Sequence, residues 1–165
     1  MSKKWIFFTD ATLGKLCKWL RIIGYESLYC PQLSPHRLAL PVALDEQGII
    51  LTRQKKLVEK SPVQFEANRI IFINDNRWQN QLLQVITVLQ LPKPAAMFTR
   101  CVKCGHILTE TDKTKIMIHV PAFIYQSHHR FHRCEQCERI YWPGTHFKKM
   151  SDQIAQIFSH LPNVE

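Results

Sequence analysis

Short apolar runs alternate with helix-like segments through the first half of the chain. The runs cover residues 5–8, 27–29, 49–51 and 69–73. Runs of this length are typical of strands that are buried on both faces of a parallel sheet. Between the first two runs, apolar residues recur at helical spacing from Leu13 to Ile23, and Gly24 is placed to end the helix.

Helical segments also follow the other three runs. Residues 42–47 form a weak candidate because prolines interrupt the pattern before them, residues 54–60 give about two turns, and residues 77–90 carry a continuous apolar face. Repeated strand–helix units predict a parallel sheet with helices on both faces, because crossovers between parallel neighbours are right-handed. Residues 1–95 are therefore predicted to form a small α/β domain.

The pattern changes after the proline-containing segment 91–96. Seven of the eight histidines and four of the six cysteines lie beyond it, among many aromatic residues. Residues 98–147 are predicted to form short β-ribbons, and residues 148–160 a helix whose apolar face includes Ile154 and Phe158. We therefore expect a second unit, residues 98–165, in which a β-rich ribbon is followed by a C-terminal helix.

Composition and charge narrow the functional classes. The chain has 165 residues, 45% of them hydrophobic, and 22 Lys and Arg against 13 Asp and Glu, which gives a formal charge of +9. The hydrophobic fraction is that of a folded protein. No apolar run is long enough to cross a bilayer, and the N-terminal residues lack a signal-peptide core, so we expect a cytoplasmic protein that does not contact membranes.

Two Cys-x-x-Cys pairs, Cys101 with Cys104 and Cys134 with Cys137, are the strongest chemical signal. Four thiolates in this arrangement can surround one Zn²⁺ and leave no position for water, so the predicted site is structural. A redox pair or free buried cysteines are the alternatives. Several neighbouring histidines are conceivable ligands, but a complete cysteine set makes surface or outer positions the better interpretation.

Basic and aromatic residues alternate around the second cysteine pair. The candidates for contact with RNA are Arg130, Arg133, Trp142 and Lys148. Cations bind phosphates and aromatic rings stack on bases, as single-stranded nucleic acid requires. A solvated basic face over a small aromatic core is an equally weighted alternative.

Polar residues follow three of the predicted strands. Asp10 follows the first, Thr52 and Arg53 end the third, and Asp75 follows the fourth. Ligands bind at the carboxyl ends of strands in open parallel sheets, so these side chains are expected to converge there. Carboxylates at this edge, with Asp45 as a further candidate, would bind Mg²⁺ or Mn²⁺, while Thr52 and Arg53 would contact a phosphate. Helix capping is the alternative for both Asp10 and Asp75.

Three segments of the chain match a known family. They are residues 8–25, residues 50–53, and the cysteine ribbon with its Tyr141-Trp-Pro-Gly-Thr-His146 sequence. Over roughly residues 5–150 the chain closely resembles the Mut-seven C-terminal ribonuclease domain. The resemblance implies a PIN-like nuclease fold with a zinc ribbon and metal-dependent hydrolysis of RNA, with Asp10 in the place of the first catalytic aspartate.

The resemblance also implies a positively charged groove, and Lys15, Lys18 and Arg21 of the first helix are expected to contact RNA there. Two features depart from the family pattern. Gln54 stands where the family has an aspartate, and residues 34–37 read Ser-Pro-His-Arg where acids are usual. Two hypotheses follow: a Mg²⁺- or Mn²⁺-dependent ribonuclease, or a catalytically degenerate factor that binds RNA or a ribonucleoprotein. A protein-docking role for the ribbon is a weaker third.

Overall fold

Four parallel strands form the sheet of the first half. The computed structural model describes residues 5–33, 48–59, 69–93 and 96–159. The strands are β1 (Ile6–Thr9), β2 (Glu26–Tyr29), β3 (Gly48–Thr52) and β4 (Ile70–Phe72). They are arranged in the order β2-β1-β3-β4, and each neighbouring pair is parallel. The four apolar runs thus form the predicted parallel sheet, with all carboxyl ends at one edge.

Three of the four helices predicted for the first half of the chain are found among the described residues. A 3₁₀ turn (Ala11–Leu13) leads into α1 (Gly14–Ile22), and α2 (Lys55–Glu59) and α3 (Trp78–Leu89) follow. The helix predicted over residues 42–47 lies outside the described residues. No helix in the described ranges is long and apolar enough to span a bilayer.

The end of α1 requires glycine. Gly24 has φ +94°, and the backbone N–H groups of Gly24 and Tyr25 donate to the carbonyls of Arg21 and Leu20 at 3.0 and 2.9 Å. This bonding closes the helix with a left-handed residue, which a side chain disfavours. A Cβ atom at Gly24 would also lie 2.6 Å from the carbonyl oxygen of Ala96. The chain after α3 can therefore pass close to this turn.

Both faces of the sheet are buried. Phe7 and Leu51 point into the larger core, together with α1 and α3, and the Trp19 and Trp78 rings of those helices stack with centroids 3.7 Å apart. Alternate residues of the same strands point to a smaller core with Leu57 of α2, and they include Ile6, Phe8 and Ile50. The two central strands, β1 and β3, are covered on both sides and are buried along their whole length, whereas the edge strand β2 exposes Leu28 and Tyr29.

The ribbon contains an antiparallel sheet. Its strands are β5 (Thr109–Thr111), β6 (Phe131–Arg133) and β7 (Ile140–Tyr141), paired in that order. A 3₁₀ turn (Lys113–Ile116) and the short helix α4 (Ala122–Ser127) lie between β5 and β6. Ile116, Val120 and Phe131 form a separate small core. The β-ribbon prediction is confirmed, whereas the sequence pattern gave no sign of α4.

The C-terminal helix, α5, covers Thr145–Ser159 and begins three residues before its predicted start. Its apolar residues Ile154, Ile157 and Phe158 belong to the larger core of the parallel sheet, not to the small core of the ribbon. The sequence-based division placed this helix with the ribbon. In the structure the helix follows the ribbon along the chain but packs with the first half.

Candidate functional site

The four cysteines of the ribbon form one group. Their sulfur atoms all lie within 4.8 Å of one another, and the closest pairs are Cys104 with Cys134 at 3.3 Å and Cys101 with Cys137 at 3.4 Å. A tetrahedron with Zn–S bonds of about 2.3 Å has edges of about 3.8 Å. The donor set and its size therefore fit a structural zinc ion. The sequence-based grouping of these cysteines is confirmed.

The two cysteine pairs lie in loops with the same backbone bonding. The N–H groups of Cys101 and Cys134 donate to the carbonyls of His106 and Arg139 at 2.7 and 2.9 Å. Their own carbonyls accept from the residue after the second cysteine, at 2.8 Å in both loops. That residue is left-handed in each case: Gly105 has φ +84° and Glu138 has φ +59°. We call these loops the first and second knuckle.

Hydrogen bonds around Cys101 favour the thiolate, the form that binds metal. Burial raises the pKa of this thiol, but hydrogen bonds from the Tyr141 hydroxyl and the Cys104 backbone amide lower it to about 6. The Tyr141 oxygen lies 3.1 Å from the Cys101 sulfur. Burial raises the pKa of Tyr141, and the hydrogen bond to the Cys101 sulfur raises it further. The hydroxyl therefore keeps its proton and remains a donor. Tyr141 therefore stabilises negative charge at the four-cysteine group.

No histidine belongs to this cysteine group, and the described residues contain no other group of three or more side chains suited to bind a metal. His106 and His146 are exposed, and His132 is half-buried on β6. The interpretation of the nearby histidines as surface or outer groups agrees with these positions.

Arg21 holds the first knuckle against the parallel-sheet half. Its side chain is buried, and its guanidinium donates to the carbonyls of Ser27 at 2.8 Å, Val102 at 3.0 Å and Lys103 at 2.7 Å. The guanidinium is enclosed and bonded to backbone carbonyls, so it would have to leave them to contact RNA, and that contact stays a prediction. Arg100 adds a second connection, since it donates to the carbonyls of Gly24 and Gly105.

Asp10 lies fully buried where β1 ends, next to the end of β3. One carboxylate oxygen accepts from the backbone amide of Thr12 at 2.7 Å and from its hydroxyl at 2.6 Å. The other oxygen accepts from the Thr52 hydroxyl and from the backbone amide of Arg53 at 3.2 Å. Asp10 thus caps the 3₁₀ turn and is also held in a fixed orientation at the edge where parallel sheets bind ligands.

Gln54 completes the set of hydrogen-bond donors around the Asp10 carboxylate. Its side-chain amide donates to the same Asp10 oxygen at 3.3 Å, the longest of five hydrogen bonds to the carboxylate. A carboxylate offers about four lone-pair sites, so these donors use its full capacity. A cation could reach Asp10 only if one of these donors moved away. The half-buried Gln54 side chain, which makes the longest of the hydrogen bonds, would move most easily.

Thr52 and Arg53 have different surroundings. Thr52 is fully buried; its hydroxyl donates to Asp10 and accepts from the Gln54 backbone amide at 3.0 Å, so it orients Asp10. Its predicted contact with a phosphate stays a prediction, and these two hydrogen bonds would have to change to allow it. Arg53 is half-buried, and its Nε–H is buried without a hydrogen-bond partner among the described residues. Contact of Arg53 with a phosphate at this edge stays a prediction.

Asp75 follows β4 and lies two residues before Arg77, the N-cap residue of α3. Its carboxylate accepts from the Arg77 backbone amide at 2.6 Å and from the Asn80 side chain at 2.9 Å, and these bonds lower its pKa. Since β3 lies between β1 and β4, the strand axes that carry Asp10 and Asp75 are about 10 Å apart. The structure shows no direct contact between the two carboxylates. Asp45, the third candidate acid, lies outside the described residues.

The remaining predicted RNA contacts lie on two surfaces. Lys15 and Lys18 are exposed on α1, and Arg130 and Lys148 are exposed on the ribbon and on α5. Two further candidates belong to the ribbon itself. Arg133 is half-buried and pairs with Glu138 at 2.8 Å, whereas Trp142 is half-buried beside Phe131, with ring centroids 6.5 Å apart. These side chains do not form one cluster with Asp10.

Three functional side chains escaped the sequence interpretation. Thr12 orients Asp10. The Asp-x-Thr spacing favours a turn closed by the aspartate side chain, so the sequence could have indicated this contact. Tyr141 bonds to Cys101, and Arg100 ties the first knuckle to β2, where it also pairs with Glu26 at 3.3 Å. The last two contacts join residues distant in the chain, so no local pattern indicates them.

Comparison with known protein families finds a match over most of the chain. A family model described as the Mut7-C RNAse domain matches residues 6–154, which include the Asp10 site and both knuckles. No curated protein and no solved structure matches the chain. Because the family match covers most of the sequence, the chain belongs to the Mut7-C RNAse domain family.

Proposed function

We propose that this protein is a ribonuclease that hydrolyses RNA phosphodiester bonds with the help of Mg²⁺ or Mn²⁺, while its zinc-stabilised ribbon binds the RNA. Membership of an RNAse family supports this proposal. The observation that carries it is the buried carboxylate of Asp10, held at the ligand-binding edge of the sheet by Thr12 and Thr52. A carboxylate fixed in this way is suited to act as the first ligand of a catalytic cation.

A divalent cation bound there would activate water for attack on the phosphodiester. Asp10 would hold the cation, and the two threonines would keep its oxygens oriented. Arg53, a half-buried cation at this edge of the sheet, would bind the phosphate through its guanidinium group. Gln54 would have to turn away to open a site on Asp10, and the described residues bring no second carboxylate into contact with it. The described residues therefore fit the cation only in part, with Asp45 as the candidate for a further ligand.

The test is a cleavage time course on a mixture of structured and single-stranded RNAs, with Mg²⁺ or Mn²⁺ added to zinc-loaded protein in metal-free buffer. Omitting a chelator leaves the four-cysteine centre intact. Asp10→Asn should lower the cleavage rate at least about 100-fold, because it removes the charge that holds the cation. Asp152→Asn is the matched control, since Asp152 is an exposed acid on α5. Equal rates in these two variants would contradict the proposal.

A second candidate function is binding of RNA, or of a ribonucleoprotein, without cleavage. The hydrogen bond from Gln54 to Asp10 favours it, because an amide donor occupies an oxygen that a cation would need. Under this alternative the wild-type protein retains RNA and does not cut it with either cation. Gln54→Asp would replace the donor by a cation ligand, so cation-dependent cleavage appearing only in that variant would identify Gln54 as the residue that disables the site.

A further inference from the structure

A cleft on the ribbon lies outside the Asp10 site. It has a volume of about 410 Å³ and is lined by the side chains of His119, Glu138, Arg139, Ile140, Tyr141 and Trp142. Small-molecule sites commonly have volumes of about 300 to 1,000 Å³. The cleft therefore has room for a ligand of the size of a nucleotide, next to the second knuckle.

Contacts with the rest of the ribbon hold the two aromatic rings of this cleft, Tyr141 and Trp142, in place. The Tyr141 hydroxyl bonds to the Cys101 sulfur at 3.1 Å, which ties the ring to the metal centre. The Trp142 ring packs beside Phe131 of the ribbon core and lies over Gly144, where a Cβ atom would be 3.2 Å from its indole nitrogen. Rings that are already in place lose little conformational entropy when a planar ligand stacks on them.

The charge of the cleft favours an anion. Arg139 is exposed and has no ion pair among the described residues, and His119, which also lines the cleft, is exposed. Glu138 is the one acid in the lining, and its carboxylate pairs with Arg133 at 2.8 Å. A free guanidinium beside two aromatic rings matches a phosphate beside a base.

We propose that this cleft binds one nucleotide of single-stranded RNA, with the base stacked on Trp142 or Tyr141 and the phosphate bonded to Arg139. The inference rests on the RNA binding in the proposed function and adds a defined subsite to it. Unpaired RNA is the occupant because stacking needs an exposed base face, which a duplex does not offer. A peptide added to the edge strand β7 is the competing occupant, and it would make no use of the Arg139 charge.

The experiment measures binding of the zinc-loaded full chain to a fluorescein-labelled, 12-nucleotide single-stranded RNA, with inorganic polyphosphate as a second ligand that has charge but no bases. Trp142→Leu should weaken RNA binding about 10-fold and leave polyphosphate binding within about twofold, because stacking contributes to base binding alone. Arg139→Gln should weaken both by about three- to fivefold. Lys103→Gln, which removes an exposed cation outside the cleft, is the control and should change neither by more than about twofold.

A second measurement keeps the test decisive if Trp142→Leu disturbs the ribbon. RNA that contains 5-iodouridine, irradiated on the wild-type protein, should cross-link to Trp142 or Tyr141. Wild-type protein with no affinity for RNA would overturn the inference and its RNA-binding premise together. RNA binding that survives both cleft substitutions, with cross-links elsewhere, would overturn the cleft assignment alone and leave the proposed ribonuclease untouched.

Discussion

The buried guanidinium of Arg21 joins the two halves of the chain. It reaches one carbonyl of β2 and two carbonyls of the first knuckle, and no acidic side chain pairs with it among the described contacts. The donors of a guanidinium lie on three nitrogen atoms, so the group can bond to carbonyls that are well separated. The donors of a lysine ammonium all lie on one nitrogen atom. Arg21 therefore has a structural role, whatever its part in binding RNA.

Replacing Arg21 tests this role. Arg21→Lys keeps the charge but leaves at least one buried carbonyl without its donor, so the free energy of unfolding should fall by about 1 to 3 kcal/mol. Lys18→Gln changes an exposed residue of the same helix and should shift the free energy by less than about 0.5 kcal/mol. Urea unfolding of zinc-loaded protein measures both. A loss in Arg21→Lys no larger than in the control would contradict the structural role.

The two knuckles have the same backbone conformation but different surroundings. Each ends on a left-handed residue, but glycine occupies that position in the first knuckle and glutamate in the second. A Cβ atom at Gly105 would lie 3.2 Å from Arg21 Nε and 3.3 Å from the Ser27 carbonyl, whereas Glu138 is exposed. The first knuckle needs glycine because it packs against the sheet half, while the second faces solvent and tolerates a side chain.

Gly105→Ala should therefore destabilise the protein by about 1 to 3 kcal/mol, from left-handed strain and from displacement of the Arg21 guanidinium. Glu138→Ala is the matched control: the backbone there already carries a side chain, and the partly exposed pair with Arg133 contributes no more than about 1 kcal/mol. Thermal unfolding of both zinc-loaded variants compares them. Similar losses would show that contact with the sheet half does not constrain the first knuckle.

The four-cysteine ribbon is connected to the parallel-sheet half, so the stability of that half is expected to depend on the ribbon. Arg21 and Arg100 fasten the first knuckle to α1 and β2, and Val102 of that knuckle packs against the larger core. The C-terminal helix, which follows the ribbon in the chain, packs into the same core. Collapse of the ribbon should therefore loosen the parallel sheet, because these connections would lose their fixed geometry.

Elemental analysis should find one equivalent of zinc in the purified protein. Removing it should increase hydrogen exchange in β1, β2 and α1 as well as in the ribbon. Cys104→Ser should reproduce the loss of zinc and of protection, whereas Cys30→Ser, which changes a cysteine outside the group, should retain both. Unchanged protection of β1 and α1 in zinc-free protein would show that the two halves are independent.

Local pattern was sufficient to predict much of this molecule. Strands that are buried on both faces are largely apolar, so the runs of β1 and β3 were visible without any knowledge of their partners, and the shorter runs of β2 and β4 followed the same spacing. A cysteine knuckle is a short loop whose two sulfurs are close because of their spacing, so the metal ligands were visible as well. Asp10 was found because it directly follows the first strand, and strand ends meet at one edge.

Contacts between distant residues decided the rest. The sequence marks Arg21 as a polar position on a helix, but its burial follows from where the first knuckle docks, more than 80 residues later. The amide of Gln54 could be recognised as a missing acid, yet its hydrogen bond to Asp10 exists only because β1 and β3 are neighbours. Residue type and spacing fix which groups can act, while the packing of strands and loops determines which of them are enclosed, bonded or free to meet a ligand.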